Sequence, residues 1–463
     1  MKKTKLIVAA LLATAMSISL IGCGTNTTTE QPTTAEAEVT EAAEDVVVED
    51  TEAADEDAAN EDAAAGGAEG NITLGWWGNP TRNEQTTAVR ELFQAENPDV
   101  TVEELTVGWA DYWTQLATLA ASGDLPDVVQ MDISTLEEYV ENAQLKDLTP
   151  LIESGQIDLS NVPESVVELG RVGDGIYAIS IGQNAPAMIY NKTLLDEMGI
   201  EVSDNMTTDE FVEIAKKVYD EKGIRTNFAL SDPSNPLEFM LRGEGVNWLS
   251  ADGMGGEAAQ YEPFFDLVVQ GAEEGWGYDP ANFIGRMGSV EQDPMVAGGE
   301  ANEQSWCTFG WSNGLTGLQD SAPDGMELSM TAYPSANPAE SNYVRASMYF
   351  SIAEATENVD AAAALISFWT NSVDANKIML GERGVPASGV VAEALTGDLT
   401  PEAQIMFGFV QRMTENTSVP YALRPAAAGE INDQLRLLVE NVYAGKTAAD
   451  AAQELVDFGN NLL

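Results

Sequence analysis

The sequence predicts an α/β protein built as two lobes. Strand-like and helix-like segments alternate through the first half of the chain, and the part able to fold exceeds what one hydrophobic core serves. Ile72, Leu74 and Trp76 alternate as in a half-buried strand, which the run Gly-Trp-Trp-Gly-Asn-Pro at 75–80 breaks. From about Asn83 a helix places Val89, Leu92 and Phe93 on one face and stops at Asn97-Pro98. Residues 100–107 form a second strand. Residues 109–122 form a second helix, with Leu116, Leu119 and Ala120 inward and Gly123 as its cap, and 127–131 a third strand. This β-α-β-α-β order calls for a parallel sheet with helices on both faces.

Later segments continue the pattern. Met188, Ile189 and Tyr190 form a strand that runs into Asn191-Lys192 and a helix ended by Gly199. Thr207 and Glu210 stand three residues apart as a capping box, before a helix carrying Phe211, Ile214, Ala215 and Val218. Residues 359–368 and 431–442 are strongly helical. A last helix opens at Thr447 and carries Ala451, Ala452, Leu455 and Phe458. No internal repeat is apparent.

The first 23 residues read as an export signal. Lys2, Lys3 and Lys5 precede an uncharged apolar run over 6–21, too short to span a bilayer and stay, and Leu20-Ile21-Gly22-Cys23 closes it. That ending resembles the lipobox of bacterial lipoproteins, which implies cleavage before Cys23 and attachment of diacylglycerol to its sulfur. The alternative is an ordinary signal peptide with an incidental cysteine. The expected address is the outer face of the bacterial cytoplasmic membrane, with acyl chains rather than a helix as the anchor. Residues 24–70 hold 15 acidic side chains and no Lys or Arg. Such a stretch buries too little apolar surface to offset the entropy of ordering it, so it reads as a tether of about 40 Å reach. A binding role for its acidic run is the competing reading.

Residues 71–463 carry 18 basic and 61 acidic side chains, a net charge of −43, which argues against nucleic acid as a partner and against a polybasic membrane footprint. The two cysteines are Cys23 and Cys307; with Cys23 lipidated, Cys307 has no intrachain partner and reads as a small buried hydrophobe. The chain has no histidine, which removes Ser-His-Asp and Cys-His nucleophiles, HExxH sites and His-rich zinc sites, and leaves carboxylate-only chemistry open. No cofactor and no metal are expected.

A series of segments in order resembles the family 1 extracellular solute-binding proteins of ABC transporters, the group that includes maltodextrin-, multiple-sugar- and glycerol-phosphate-binding proteins. They are LGWWGN at 74–79, FQAENPDVTVE at 93–103, LATLAASGDLPDVVQMD at 116–132, LKDLTPLI at 145–152 and GDGIYAISIG at 173–182. MIYNKTLLDEMGI at 188–200, TTDEFVEIAKKV at 207–218, FGWSNG at 309–314 and ERGVPAS at 382–388 continue the series. The tryptophan that often precedes the threonine-rich helix start is absent near 207. The resemblance implies a two-lobe periplasmic-binding-protein-like fold (type II) with interlobe crossing strands and a ligand cleft. Its lobes are expected at 71–184 with 344–384, and at 185–343 with 385–463.

Ligands of such open sheets bind beyond the carboxyl ends of the strands. A sugar presents C–H faces ringed by hydroxyls, so its site wants aromatic platforms and planar polar groups. Trp76 and Trp77 end the first strand and point opposite ways, one inward and one to the cleft. Asn79 and Arg82 open the following helix, whose N–H groups suit a polar or anionic ligand; Arg82 has a surface ion pair as its bland alternative. Trp109, Tyr112 and Trp113 cluster at the next helix start, with Trp109 the favoured platform and one of the others in the core. Asp132 is a ligand contact or a helix N-cap. Gln183 and Asn184 lie at the first interlobe crossing, bonding ligand or the opposite lobe. Trp311, between Gly310 and the Ser312-Asn313-Gly314 turn, is the favoured platform of the second lobe, while Trp306 and Trp248 read as buried. Arg383 reaches the cleft or pins the hinge through Glu382.

The expected function is capture of a carbohydrate, an oligosaccharide by preference, and its delivery by lobe closure to the permease subunits of an ABC importer. The protein is expected to be a monomer and not an enzyme. Two alternatives stand beside this reading. A polyamine or other cationic solute would need paired carboxylates among aromatics, and an exported glycoside hydrolase would need two cleft carboxylates about 5–10 Å apart.

Overall fold

The computed structural model describes residues 68–463 except 251, 252, 281–289, 417–424 and 426. The export signal, Cys23 and the tether as far as residue 67 lie outside the described residues.

The first lobe is organised by a five-stranded sheet. In chain order its parts begin with β1 (Gly70–Trp77), α1 (Pro80–Glu96), β2 (Val100–Val107), α2 (Trp109–Ser122), β3 (Val128–Met131) and α3 (Ile133–Glu141). The chain then runs through β4 (Ile179–Asn184) straight into β5 (Pro186–Asn191), the first strand of the second lobe. That lobe adds α4 (Thr208–Lys222), α5 (Ala258–Glu274), β6 (Cys307–Trp311), α6 (Gly314–Ser321) and β7 (Leu328–Thr331). The chain returns through β8 (Arg345–Ile352), α7 (Val359–Asn371), α8 (Val373–Met379) and α9 (Gly389–Leu395), and ends with α10 (Pro401–Glu415), α11 (Ala428–Tyr443) and α12 (Ala448–Leu462).

Local chemistry sets the element ends. Asn79 caps α1 by accepting from the Arg82 N–H, and Pro80 fills the first helical position, so the helix starts earlier than its apolar face suggests. Gly123 ends α2 in the left-handed region at φ 79°, and the Thr207–Glu210 capping box is present at the start of α4.

The first sheet runs β2-β1-β3-β8-β4, and the second β6-β5-β7. Strands β1, β2 and β3 are parallel, as their crossover helices require, but β8 is antiparallel to both β3 and β4. The sheet is therefore mixed, because β8 enters from the other lobe. The second sheet is wholly antiparallel. Trp76, Val89, Phe93, Val128 and Phe350 are buried in lobe one, and Phe211, Phe228, Phe264, Trp306 and Cys307 in lobe two.

Two strands carry the chain between lobes. Tyr349 pairs with Met131 where β3 ends, whereas Arg345 pairs with Asn184 four residues further on. The β4–β8 ribbon thus projects beyond the parallel strands by about 13 Å at 3.3 Å per residue. Ala185 alone separates β4 from β5. Its N–H donates to Ser312 Oγ at 3.2 Å, and its carbonyl accepts from the Ser312 N–H at 2.9 Å.

A third segment lies along this ribbon. The Gln183 N–H donates to Val385 O at 2.8 Å and the Val385 N–H returns to Gln183 O at 3.1 Å. A Cβ on Gly182 would stand 1.9 Å from the Arg383 carbonyl oxygen, so only glycine permits this approach. The expected return to lobe two at 384/385 falls later. The Gly389 N–H donates to Asn161 O, α9 packs on α8, and Lys377 pairs with Asp398 at 3.3 Å, all within lobe one. Helix α10 packs on β7 and α6 of lobe two, and α11 and α12 pack on α5. The passage therefore lies between Asp398 and Pro401.

Two expectations follow. Gly182→Ala should lower stability by roughly 2–3 kcal/mol, read from the urea midpoint, because the new methyl group drives the 383–385 segment off the ribbon. Burial raises the phenols of Tyr112, Tyr261, Tyr333 and Tyr443 and pushes Tyr139 up to about 12. Unfolded tyrosines ionise near pH 10, so above that pH the folded state holds more protons and stability falls. Arg383, lowered by burial to about 9, acts in the opposite direction as one group against five. The thermal midpoint should stay level from about pH 6 to 8, where no histidine titrates, and drop above about pH 10.

Candidate ligand-binding cleft

The carboxyl ends of β1 and β3 lie at the edge of the first sheet from which the β4–β8 ribbon projects toward the second sheet, which is where the sequence places the cleft. On the lobe-one side stands a cluster of four rings. Trp77 meets Trp109 edge-on at 4.9 Å, Tyr112 at 5.3 Å and Trp113 at 5.5 Å, and Trp109 meets Trp113 at 5.5 Å. Only Trp109 opens substantially to solvent, at 50 % exposure. A half-exposed indole backed by three other rings is held firm without being covered, which suits it to a C–H face.

The other aromatic candidates on this lobe are corrected by their burial. Trp76 is wholly enclosed, turns toward α1 and donates its indole N–H to Asn83 Oδ1 at 2.9 Å. Trp77 points to the opposite face but is only 6 % exposed, because the start of α2 closes over it. Tyr112 is buried and its hydroxyl donates to Gln130 O at 2.9 Å, joining α2 to β3. Trp77 and Tyr112 back Trp109, Trp76 packs on the other face of the sheet, and none of the three offers a platform of its own.

Several polar candidates are also committed to the fold. Asn79 is the exposed N-cap of α1. Arg82 Nε lies 2.9 Å from both carboxylate oxygens of Glu382, tying α1 to the segment after α8. Asp132 caps α3, accepting from the Ser134 N–H at 3.0 Å and its hydroxyl at 2.6 Å. Arg383 does not reach the cleft: it is 1 % exposed, donates to Thr86 Oγ1 at 2.8 Å, and stands over the Trp369 ring at 5.3 Å. Gln183 turns to the far side of the ribbon, where its Oε1 accepts from Thr414 at 3.2 Å. There it helps line a groove of about 400 Å³ with Val385, Pro386, Val410 and Thr414.

The ribbon carries a second group of candidates. Trp311 ends β6 opposite Pro186, the first residue of β5, so its partly buried ring stands at the crossing. Arg345, which the sequence reading did not single out, places its guanidinium carbon 3.5 Å from the centre of that ring. Asn184 pairs with Arg345 in register, and its buried Oδ1 has no hydrogen-bond partner among the described residues. The only signal for Arg345 in the sequence was its place at the expected second crossing, where an arginine beside Tyr343 follows a long loop. Trp248 and Trp306 are buried in lobe two. No group of His, Cys, Asp or Glu able to hold a metal occurs among the described residues.

Residues 88–404 match the sequence model of the bacterial extracellular solute-binding proteins, more than half of the chain. The chain belongs to that family. The lactose-binding protein of Rhizobium radiobacter is 24 % identical over 358 residues, 73 % of this chain and 79 % of the relative. The multiple sugar-binding protein of Streptococcus mutans is 28 % identical over 141 residues, 30 % of this chain and 31 % of the relative. A solved family 1 extracellular solute-binding protein from Alicyclobacillus acidocaldarius superposes with a TM-score of 0.76 at 22 % identity, over 85 % of this chain and 98 % of that one. The two-lobed architecture of this solute-binding protein is that of its structural relatives.

Exposure and packing predict opposite phenotypes for two tryptophans. Trp109→Ala should leave the unfolding midpoint within about 0.5 kcal/mol of the parent, since its ring is half in solvent. Trp76→Ala should cost about 3–5 kcal/mol through the cavity it leaves, read in the same urea titration.

Proposed function

We propose that this solute-binding protein captures a carbohydrate, an oligosaccharide by preference, and presents it by lobe closure to the permease subunits of an ABC importer. The observation that carries the reading is the open Trp109 platform, backed by Trp77, Tyr112 and Trp113, on a cleft whose floor is a ribbon shared by both lobes. An exposed indole gives the apolar face that a sugar ring needs, and closure over the ribbon brings the second sheet toward it. The sugar-binding names of the relatives support the same class. The lobe limits that go with this reading are 71–184 with 344–398, and 185–343 with about 400–463.

In this reading no bond is made or broken. Among the candidate carboxylates, Asp132 is spent on capping α3 and Glu382 on Arg82, so neither stands as one of a free catalytic pair. No described helix is long and apolar enough to cross a membrane. We place the anchor at Cys23, by its lipobox-like sequence, with the monomeric body outside the cytoplasmic membrane on the acidic tether.

The test is titration calorimetry against mono- and oligosaccharides, phosphosugars and polyamines. A saturable heat with one sugar group at micromolar ligand, weakened at least tenfold by Trp109→Ala, is the expected result. Binding of polyamines alone would overturn it in favour of a cationic solute, and slow release of reducing ends from an oligosaccharide would turn it into a hydrolase.

A further inference from the structure

Arg345 is the group at the cleft that the fold leaves unspent. Arg82, Arg90, Arg171, Arg383 and Arg412 each meet a carboxylate, while Arg225 and Arg436, for which no such pair is seen among the described residues, lie in lobe two away from the ribbon. Arg345 meets none among the described residues, although residues 71–463 hold 61 acidic side chains. Its guanidinium carbon stands over the Trp311 ring at 3.5 Å from the centre, and its Nε is buried without an acceptor among the described residues. Beside it in register, the buried Oδ1 of Asn184 lacks a donor among the described residues. A desolvated N–H and a desolvated carbonyl left unpaired cost free energy, and the cost is removed when a ligand supplies both partners.

Stacking explains where the guanidinium plane lies but not the absence of an acceptor. The indole takes one face of the plane and leaves the N–H edge free, and that edge matches a carboxylate through two parallel hydrogen bonds. Asn184 Oδ1 would then accept from a hydroxyl on the same sugar unit. With Arg345 over one face of Trp311, that face is closed to sugar stacking, and the aromatic platform of the site is Trp109.

We infer that the ligand is a sugar bearing a carboxylate, an oligosaccharide with at least one uronic acid unit, whose carboxylate is read by Arg345 and a neighbouring hydroxyl by Asn184. The inference rests on the carbohydrate reading and narrows it.

The test compares galacturonate and glucuronate oligosaccharides with their methyl esters and with the matching neutral galactose and glucose oligomers, by calorimetry on the full chain. The ester keeps the ring and removes the charge. The free acid should bind tenfold to a hundredfold tighter than its ester. That preference should shrink as salt rises, and Arg345→Gln should abolish it, the free acid losing at least about tenfold more affinity than the ester. Arg345→Lys, which keeps the charge and loses the fork, should restore only part of it. Unchanged thermal midpoints would confirm that the variants fold; an Arg345→Gln chain that does not fold would show a structural role and overturn the assignment. Equal binding of acid and ester, or an Arg345→Gln variant that weakens both alike, would overturn the uronate class and leave the carbohydrate reading in place. Binding of no sugar in either series would bring down both.

Discussion

The architecture hangs on a single residue of backbone. Ala185 is the whole link between a strand of one sheet and a strand of the other, and Ser312 holds both its N–H and its carbonyl. A longer linker would let the lobes drift and a continuous strand would fuse the two sheets. One clamped residue, with the returns of the chain at β8 and after Asp398, fixes where they meet. The ribbon of β4 and β8 is thickened there by the segment at 383–385, which is hydrogen-bonded to Gln183, while Asn184 and Arg345 share one side of the ribbon.

Much of this was legible in the sequence because it follows from periodicity and end chemistry. The alternating strand at Ile72–Leu74, the helix closed by Gly123 and the capping box at Thr207 are local statements, and local statements survive folding. The antiparallel insertion of β8 was not legible, since it depends on a strand more than 150 residues from both of its neighbours. The late return to lobe two was hidden for the same reason: nothing near Val385 marks that α9 will pack on α8.

The site was legible by residue type and not by exposure. The sequence placed these aromatic residues near one another, as the structure does, but could not say that Trp77 and Tyr112 form the back of the cluster and Trp109 its open face, because that division is made by how α2 closes on the sheet. Arg383 shows the converse. An arginine before Gly-Val-Pro suggests a loop cation, yet it is buried over Trp369 because the 383–385 segment is pressed onto the glycine at 182. Arg345 was passed over because no local pattern reveals an arginine without a counter-ion; that is a property of everything around it.

The dispersed construction of lobe one also dictates an order of events. Its sheet begins at Gly70 but is unfinished until β8, some 270 residues later, has been supplied, and its helices are not complete until α9. Neither β1–β3 nor the ribbon can settle early, since each lacks a neighbour that only the distant stretch provides. Folding is thereby postponed until nearly the whole polypeptide is available.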